Sequence, residues 1–220
     1  EMRSTSAGHY SGLNSILSGN TAVSQGLRQK PVFPTVFEYA RRHLGLPATE
    51  TWFIGQGIGN SVPLLNYSLH EEYGADYGAN FFAPTVTFGN TGFEYLSDAK
   101  IYHPEEELDP MYQMKYFLDN VYQNVGTKPI DITNTEEEKQ NIKLFMDEMY
   151  NKTAAGTIAF PPVTDNSDAA AVGYCCELLK WFKPALTVVN MSSVDGCHFN
   201  FTGYLQSLHR ADHSVGHLWN

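Results

Sequence analysis

The sequence predicts an α/β fold in which a mostly parallel sheet is flanked by helices. Two short segments, 51–54 and 186–191, consist largely of apolar, β-branched and aromatic residues, the composition of strands buried in a sheet. A helical pattern precedes each of them and another follows the second, and this alternation is typical of parallel βα units. With 220 residues, 42% of them apolar, the chain has enough apolar material for a core.

Two helices are predicted before the first strand. Residues 13–17 place apolar side chains at helical spacing, and Gly19 is a suitable residue to end that helix. Pro34 marks the first turn of the second helix, because proline already has the φ angle of a helix start, and Gly45 marks its end. The strand 51–54 follows, and the glycines after it lack the spacing of a dinucleotide-binding loop.

The middle of the chain is predicted to leave the core. Residues 71–110 are irregular and rich in Tyr, Gly, Asn and Phe, which indicates an insertion or a cap. A helix is predicted over 111–124. Thr135 and the three glutamates at 136–138 predict the start of another helix, because hydroxyl and carboxylate oxygens pair with free amides at the positive end of the helix dipole. We expect that helix to end near Lys152.

The last third of the chain predicts a helix, a strand and a helix. The first helix covers 165–182 and ends before Pro184, and 186–191 is the clearest candidate for a buried strand. The final helix covers 199–219. Its apolar residues recur at helical spacing, namely Leu205, Leu208, Val215 and Leu218.

Charge and cysteine content exclude several classes of function. The formal net charge is −10, which disfavours binding to duplex nucleic acid or to anionic membranes, since both attract positive proteins. No apolar run approaches the ~20 residues of a membrane span. Three cysteines do not make a disulfide framework, and Cys175 and Cys176 lie in an apolar helical pattern that predicts buried thiols.

The first candidate site follows the strand 186–191. Asp195 and His198 come shortly after this strand, and ligands of parallel sheets gather at the carboxyl ends of strands. Carboxylate oxygen and imidazole nitrogen are both zinc ligands, so the two residues are a candidate metal pair. The alternative is that Asp195 caps the next helix and His198 hydrogen-bonds locally.

The second candidate lies at the N-terminus. Thr5 precedes a helix start, where free amides favour a bound anion, and a metal-activated hydroxyl there is a possible nucleophile towards phosphorus. The alternative is a simple helix cap by Ser4, Thr5 or Ser6, with His9 as a surface or packing residue. The stripe of three histidines on the last helix, His209, His213 and His217, is interpreted as a solvated face.

Together the two segments resemble the alkaline phosphatase superfamily, in particular its nucleotide pyrophosphatase/phosphodiesterase-like branch. Members of that branch carry a nucleophilic Thr or Ser four residues before the His of an Asn-His-Tyr-like element. His9-Tyr10 matches this frame with Thr5 as the nucleophile, although Gly8 replaces the Asn. The strand with Asp195 and His198 resembles the family's Asp…His metal pair, with three residues of spacing where the branch usually has four.

The resemblance implies an alkaline-phosphatase-like core that this chain contains incompletely. Residues 1–220 would be part of a single catalytic domain of a longer enzyme, with 71–110 as an insertion. It implies two divalent metal ions, with zinc expected. Thr5 would be both nucleophile and metal ligand, and Asp195 and His198 would be metal ligands.

The implied activity is metal-dependent hydrolysis of small-molecule phosphate monoesters or diesters, in a periplasmic or extracellular setting. The chain alone is expected to be inactive because further metal ligands lie outside it. The alternative from another class is a catalytically silent binding protein that retains the same fold. An unrelated α/β domain is a third reading, and it predicts that Asp195 and His198 lie far from Thr5.

Overall fold

The computed structural model describes residues 8–23, 29–55, 59–88, 132–163, 167–198 and 200–219. Within them, three parallel strands form one sheet in the order β2–β1–β3. The strands are β1 (Thr51–Gly55), β2 (Asn80–Phe82) and β3 (Leu186–Asn190). Helices flank the sheet, so the predicted α/β class with a parallel sheet is confirmed.

All but one of the described helices agree with the predicted ones to within a few residues, the exception being Pro84–Phe88, which lies inside the predicted insertion 71–110. The helices are α1 (His9–Ser18), α2 (Val36–Leu44), α3 (Pro84–Phe88), α4 (Glu136–Ala155), α5 (Ser167–Phe182) and α6 (Phe201–Trp219). Short 3₁₀ helices cover Ala48–Glu50, Gly59–Asn66, Gly74–Tyr77 and Asp195–Cys197. The predicted helix over 111–124 lies outside the described residues.

Local chemistry explains where these helices begin and end. Gly19 and Gly45 follow α1 and α2 with φ of 66°, the left-handed conformation that glycine adopts without a steric penalty. At the start of α4 the Glu138 amide donates to the Thr135 hydroxyl oxygen, while the Thr135 amide donates to the Glu138 carboxylate. This reciprocal capping box satisfies two amides that would otherwise lack a helical partner.

The sheet is covered on both faces by aromatic side chains, as a parallel sheet requires. Side chains alternate along a strand, so Phe53 and Phe81 share one face, where Phe53 packs against Phe37 of α2. Trp52 and Phe82 lie on the other face. There they contact aromatic residues of α4 and α5, namely Phe145, Tyr174 and Phe182. The core is therefore a helix–sheet–helix sandwich centred on β1.

The burial of β3 differs from its prediction. All five of its residues are only partly buried, whereas all five residues of β1 are buried. Within the described residues β3 pairs with β1 on one side alone, because it is the last strand in the sheet order. The apolar composition of β3 is typical of a central strand. Composition alone does not show whether a strand lies at the centre or at the edge of a sheet, so the prediction of a buried strand was wrong.

The predicted insertion at 71–110 also differs from the structure in the part that is described. Within 71–88, strand β2 pairs with β1, and Phe81 and Phe82 are fully buried in the core. A strand of three residues shows no periodicity, so the pattern gave no indication of it. Residues 89–110 lie outside the described residues.

Helix α6 presents its large apolar residues outward. Leu205, Leu208 and Val215 are each about half exposed, whereas Ser207 and Ser214 are buried. The small side chains let α6 lie against its neighbour α5. The apolar spacing therefore predicted the helix correctly, but the face carrying most of these residues is not the buried one. No helix in the described ranges is long and apolar enough to cross a bilayer.

Glu38 is a fully buried carboxylate that joins α2 to the loop before β2. One of its oxygens accepts the Thr35 amide at 2.6 Å, and the other accepts the Ser68 amide, the Ser68 hydroxyl and the Gly74 amide at 2.6–3.1 Å. Four donors compensate the loss of hydration that burial imposes on this side chain.

Replacing Glu38 by Gln is expected to destabilise the fold by about 2 kcal/mol, since an amide NH₂ would face backbone donors that the carboxylate now satisfies. Urea unfolding followed by circular dichroism measures this change. Glu72→Gln is the matched control, because the Glu72 side chain is 62% exposed and its ion pair with Arg42 contributes little. Equal midpoints for the two variants would contradict this role of Glu38.

Cys175 is buried in α5, and its burial raises the pKa of the thiol from 9.0 to about 12. At pH 8 the folded chain should therefore hold about 10³-fold less Cys175 thiolate than the unfolded chain. The unfolded chain ionises this thiol near pH 9 and the folded chain only near pH 12, so its contribution to stability is lost as pH rises through this window.

We expect iodoacetamide at pH 8 to leave Cys175 unmodified in the native protein and to label it in urea. Peptide mass spectrometry gives both rates. Cys197 serves as the internal control, because it is only partly buried and should react without denaturant. Native labelling of Cys175 as fast as Cys197 would show that α5 is not packed as described.

Candidate functional site

The candidate site lies at the carboxyl end of the sheet. Gly55 and Asn190, the last residues of β1 and β3, are register partners, so the segments that follow these two strands leave the sheet side by side. After β3 the chain forms a turn and then the 3₁₀ helix Asp195–Cys197. Helix α1 packs against the 3₁₀ helix that follows β1. The edge where parallel sheets bind ligands thus carries both segments that the sequence singled out.

Three side chains meet at this edge. The His9 imidazole Nε2 lies 2.6 Å from Asp195 Oδ1, a short hydrogen bond between residues 186 positions apart in the chain. His198 Nε2 lies 3.7 Å from the same oxygen. All three side chains are substantially exposed, so a solute has direct access to them. The Asp195 carboxylate therefore connects the loop after β3 to the start of α1.

The electrostatics of the pair favour an ionised Asp195. The hydrogen bond from His9 is the main reason that the pKa of Asp195 lies below its usual value, and the charge of His198 acts in the same direction. An ionised carboxylate is the form that binds metal ions or accepts from cationic donors. Asp195 is thus in the protonation state that a ligand role needs across the neutral pH range.

Thr5 lies outside the described residues. His9 stands four residues after it, and the contact of His9 with Asp195 brings the beginning of the described chain to the metal-pair loop. The expectation that Thr5 and His198 open into one cleft, within about 10 Å of each other, stays a prediction.

Asp195 does not cap the helix that follows. The amide of Gly203 donates to the Asn200 side chain at 3.0 Å, so Asn200 is the N-cap of α6. Asp195 begins the preceding 3₁₀ turn, and its side chain contacts His9 and His198. The prediction that Asp195 caps the next helix is therefore wrong, whereas His198 does make the local contact with Asp195 that this alternative expected.

Asp195 and His198 fit the geometry of two ligands on one metal ion. Two ligands of a tetrahedral zinc ion lie about 3.4 Å apart when the metal–ligand bonds are near 2.1 Å. Asp195 Oδ1 and His198 Nε2 are separated by 3.7 Å, so a small rotation of either side chain meets this spacing. The described residues contain no group of three or more His, Cys, Asp or Glu side chains that could hold an ion, so further donors are required.

The structure also assigns His9 a place that composition did not indicate. The capping alternative makes His9 a surface or packing residue; it is exposed, and it contacts Asp195 of the candidate metal pair. Its position in the His-Tyr frame of the family resemblance was the one indication in the sequence. The adjacent Tyr10 is buried, and its hydroxyl donates to the Gln29 carbonyl.

Two other features do not join this site. The rings of His209 and His213 lie edge to face, 4.5 Å apart between centroids, on the solvated side of α6, as predicted. A cleft of about 700 Å³ lies at the opposite, amino-terminal end of the strands, beside Thr49 and Asn134. Its charged lining combines one guanidinium, from Arg41, with three carboxylates, which makes it unsuited to a phosphate.

Comparisons with protein-family models, with curated proteins and with solved structures give no match for this chain.

Proposed function

We propose that this chain contributes to a metal-dependent hydrolase of phosphate monoesters or diesters, with Thr5 as the nucleophile. The observation that carries the proposal is the His9–Asp195 contact, because it unites the two segments whose motifs resemble the same family. In an unrelated domain that carries the two motifs by chance, the two segments would not be expected to contact each other. Their meeting point at the carboxyl edge of a parallel sheet supports a ligand site further.

Asp195 and His198 would hold one divalent ion, for which zinc is the expected choice, and Thr5 would contribute to a second. When bound, such ions supply positive charge that lowers the energy of a phosphoryl group under attack. This charge matters here because the chain carries a net charge of −10 and repels phosphate esters at long range. The remaining metal donors would come from residues that the structure does not describe or from outside the chain.

The proposed reaction has two displacements at phosphorus. The Thr5 oxygen forms a bond to phosphorus while the bond between phosphorus and the leaving oxygen breaks, and the proton lost from Thr5 balances the one gained by the departing alcohol. Water then attacks the phosphothreonine or its nucleotidyl counterpart, releasing the acid and restoring the hydroxyl. Residues 89–110 and their neighbours are candidates to contact the leaving group, which would decide between monoesters and diesters.

Hydrolysis of an aryl phosphate and an aryl phosphodiester tests the proposal. The assay uses the longest expressible chain that contains these residues, and it is run with added Zn²⁺, with chelator, and with the variants Asp195→Asn and His198→Ala. Turnover that needs Zn²⁺ and falls at least ~10²-fold in either variant is expected. His213→Ala is the matched control, since it removes an exposed imidazole of α6 that is not one of the two histidines in contact with Asp195. Zinc binding without turnover would instead favour a silent binding protein.

A further inference from the structure

Asp168 is a fully buried carboxylate in the first turn of α5. Its Oδ1 accepts the Ser192 amide and its Oδ2 accepts the Ser193 amide, each at 2.9 Å. The sequence assigned no role to this residue, which looks like an ordinary acidic residue at a helix start. Its two carboxylate oxygens instead accept hydrogen bonds from the loop that connects β3 to the candidate metal pair.

The two amides belong to the segment that sets the direction of Asp195. The Ser193 amide and the Ser192 carbonyl belong to the same peptide unit; Asp168 accepts this amide at 2.9 Å, and the carbonyl accepts the Asp195 amide at 3.0 Å. One peptide unit is therefore fixed at its donor by α5 and at its acceptor by the candidate ligand. Rotation of this turn would displace the Asp195 carboxylate, because only Ser193 and Val194 separate Ser192 from it.

Helix α5 provides a rigid base for this contact. Ala171, Val172 and Cys175, on the turns after Asp168, are buried, and the helix packs against β1 and β3. A carboxylate with both oxygens engaged has little rotational freedom, and hydrogen bonds to a charged acceptor are about twice as strong as neutral ones. The position of the loop is thus tied to the core of the fold and not to the solvent-exposed side chains around it.

We propose that Asp168 is a positioning residue that holds the Ser192–Ser193 turn so that Asp195 and His198 can bind one metal ion together. This inference rests on the function proposed above. Residues that orient metal ligands from behind commonly change metal affinity by about 10- to 100-fold when they are replaced. We expect a change of that size for Asp168→Asn, in which an amide NH₂ would face one of the two backbone donors.

The test uses the longest expressible chain that contains these residues, and it measures Zn²⁺ affinity by competition with a chromophoric chelator and amide hydrogen exchange of residues 190–198. Asp168→Asn is expected to weaken Zn²⁺ binding by about 10- to 100-fold and to speed exchange at 192 and 193. Glu38→Gln is the matched control, because Glu38 is also a fully buried carboxylate that accepts backbone amides but lies on α2. It should lower stability without changing Zn²⁺ affinity.

The outcomes separate this proposal from the proposed function. Wild-type protein that does not bind Zn²⁺, or binding unaffected by Asp195→Asn, overturns both. Wild-type binding that Asp168→Asn leaves unchanged, or that Glu38→Gln weakens equally, overturns the role of Asp168 alone. Asp168→Glu keeps the charge and both acceptors, so its partial recovery of Zn²⁺ affinity is expected. It also supplies the comparison if Asp168→Asn does not fold.

Discussion

Thr5→Ala is expected to abolish zinc-dependent hydrolysis of aryl phosphate esters, with kcat falling at least ~10³-fold. Alanine removes the oxygen that forms the covalent bond to phosphorus in the proposed reaction. Thr5→Ser keeps that oxygen and should retain a measurable fraction of the activity. Steady-state kinetics at saturating Zn²⁺ measure both.

The neighbouring serines provide the control for Thr5. Gly8 is the N-cap of α1, so capping by Ser4, Thr5 or Ser6 is not what the structure shows. Ser4 and Ser6 flank Thr5, and their alanine variants each remove a neighbouring hydroxyl without removing the proposed nucleophile. Both should keep near-normal kcat. Loss of activity in Ser6→Ala but not in Thr5→Ala would identify Ser6 as the nucleophile. It would also contradict the spacing between Thr5 and His9 on which the family resemblance depends.

Phe82→Ala is expected to reduce the free energy of unfolding by about 3–5 kcal/mol, a large part of the 5–15 kcal/mol of a typical domain. Phe82 is 1% exposed and packs edge-on against Phe88, Phe145 and Tyr174, with ring centroids about 6 Å apart. The substitution leaves a cavity where β2 meets the helices. Thermal unfolding should show a midpoint lowered by about 10 °C.

Phe201→Ala is the matched comparison, because Phe201 is 75% exposed at the start of α6. Its effect should stay within about 0.5 kcal/mol, as for other surface substitutions. Similar losses for Phe82 and Phe201 would mean that residues 80–82 do not lie in the core. Such a result would favour the sequence-based prediction that residues 80–82 belong to an irregular insertion.

The fold was predictable where local chemistry decides it. Gly19, Gly45 and the Thr135 capping box mark helix ends through backbone conformation and hydrogen bonding, which depend on neighbouring residues only. Strand β2 and the exposure of β3 were not predictable in this way. Both depend on which strands pair across long stretches of chain, and a three-residue strand such as Asn80–Phe82 has no periodicity to detect.

The candidate site likewise contains residues that were predictable from the sequence and residues that were not. Asp195 and His198 were identifiable because they follow an apolar strand, and strand ends of parallel sheets collect ligands. The contact of His9 with Asp195 and the hold of Asp168 on the following turn were not identifiable from spacing. Each joins residues that are far apart in the chain or on separate elements, so only the packing of α1 and α5 brings them together.

The most direct test of the account is a crystal structure of the chain grown with Zn²⁺, with anomalous diffraction recorded at the zinc edge. The account predicts a zinc peak within bonding distance of Asp195 Oδ1 and His198 Nε2, with the Thr5 hydroxyl in the same cleft and within about 10 Å of His198. Thr5 on the opposite side of the sheet, or zinc bound only on the His209–His213 face of α6, would contradict it.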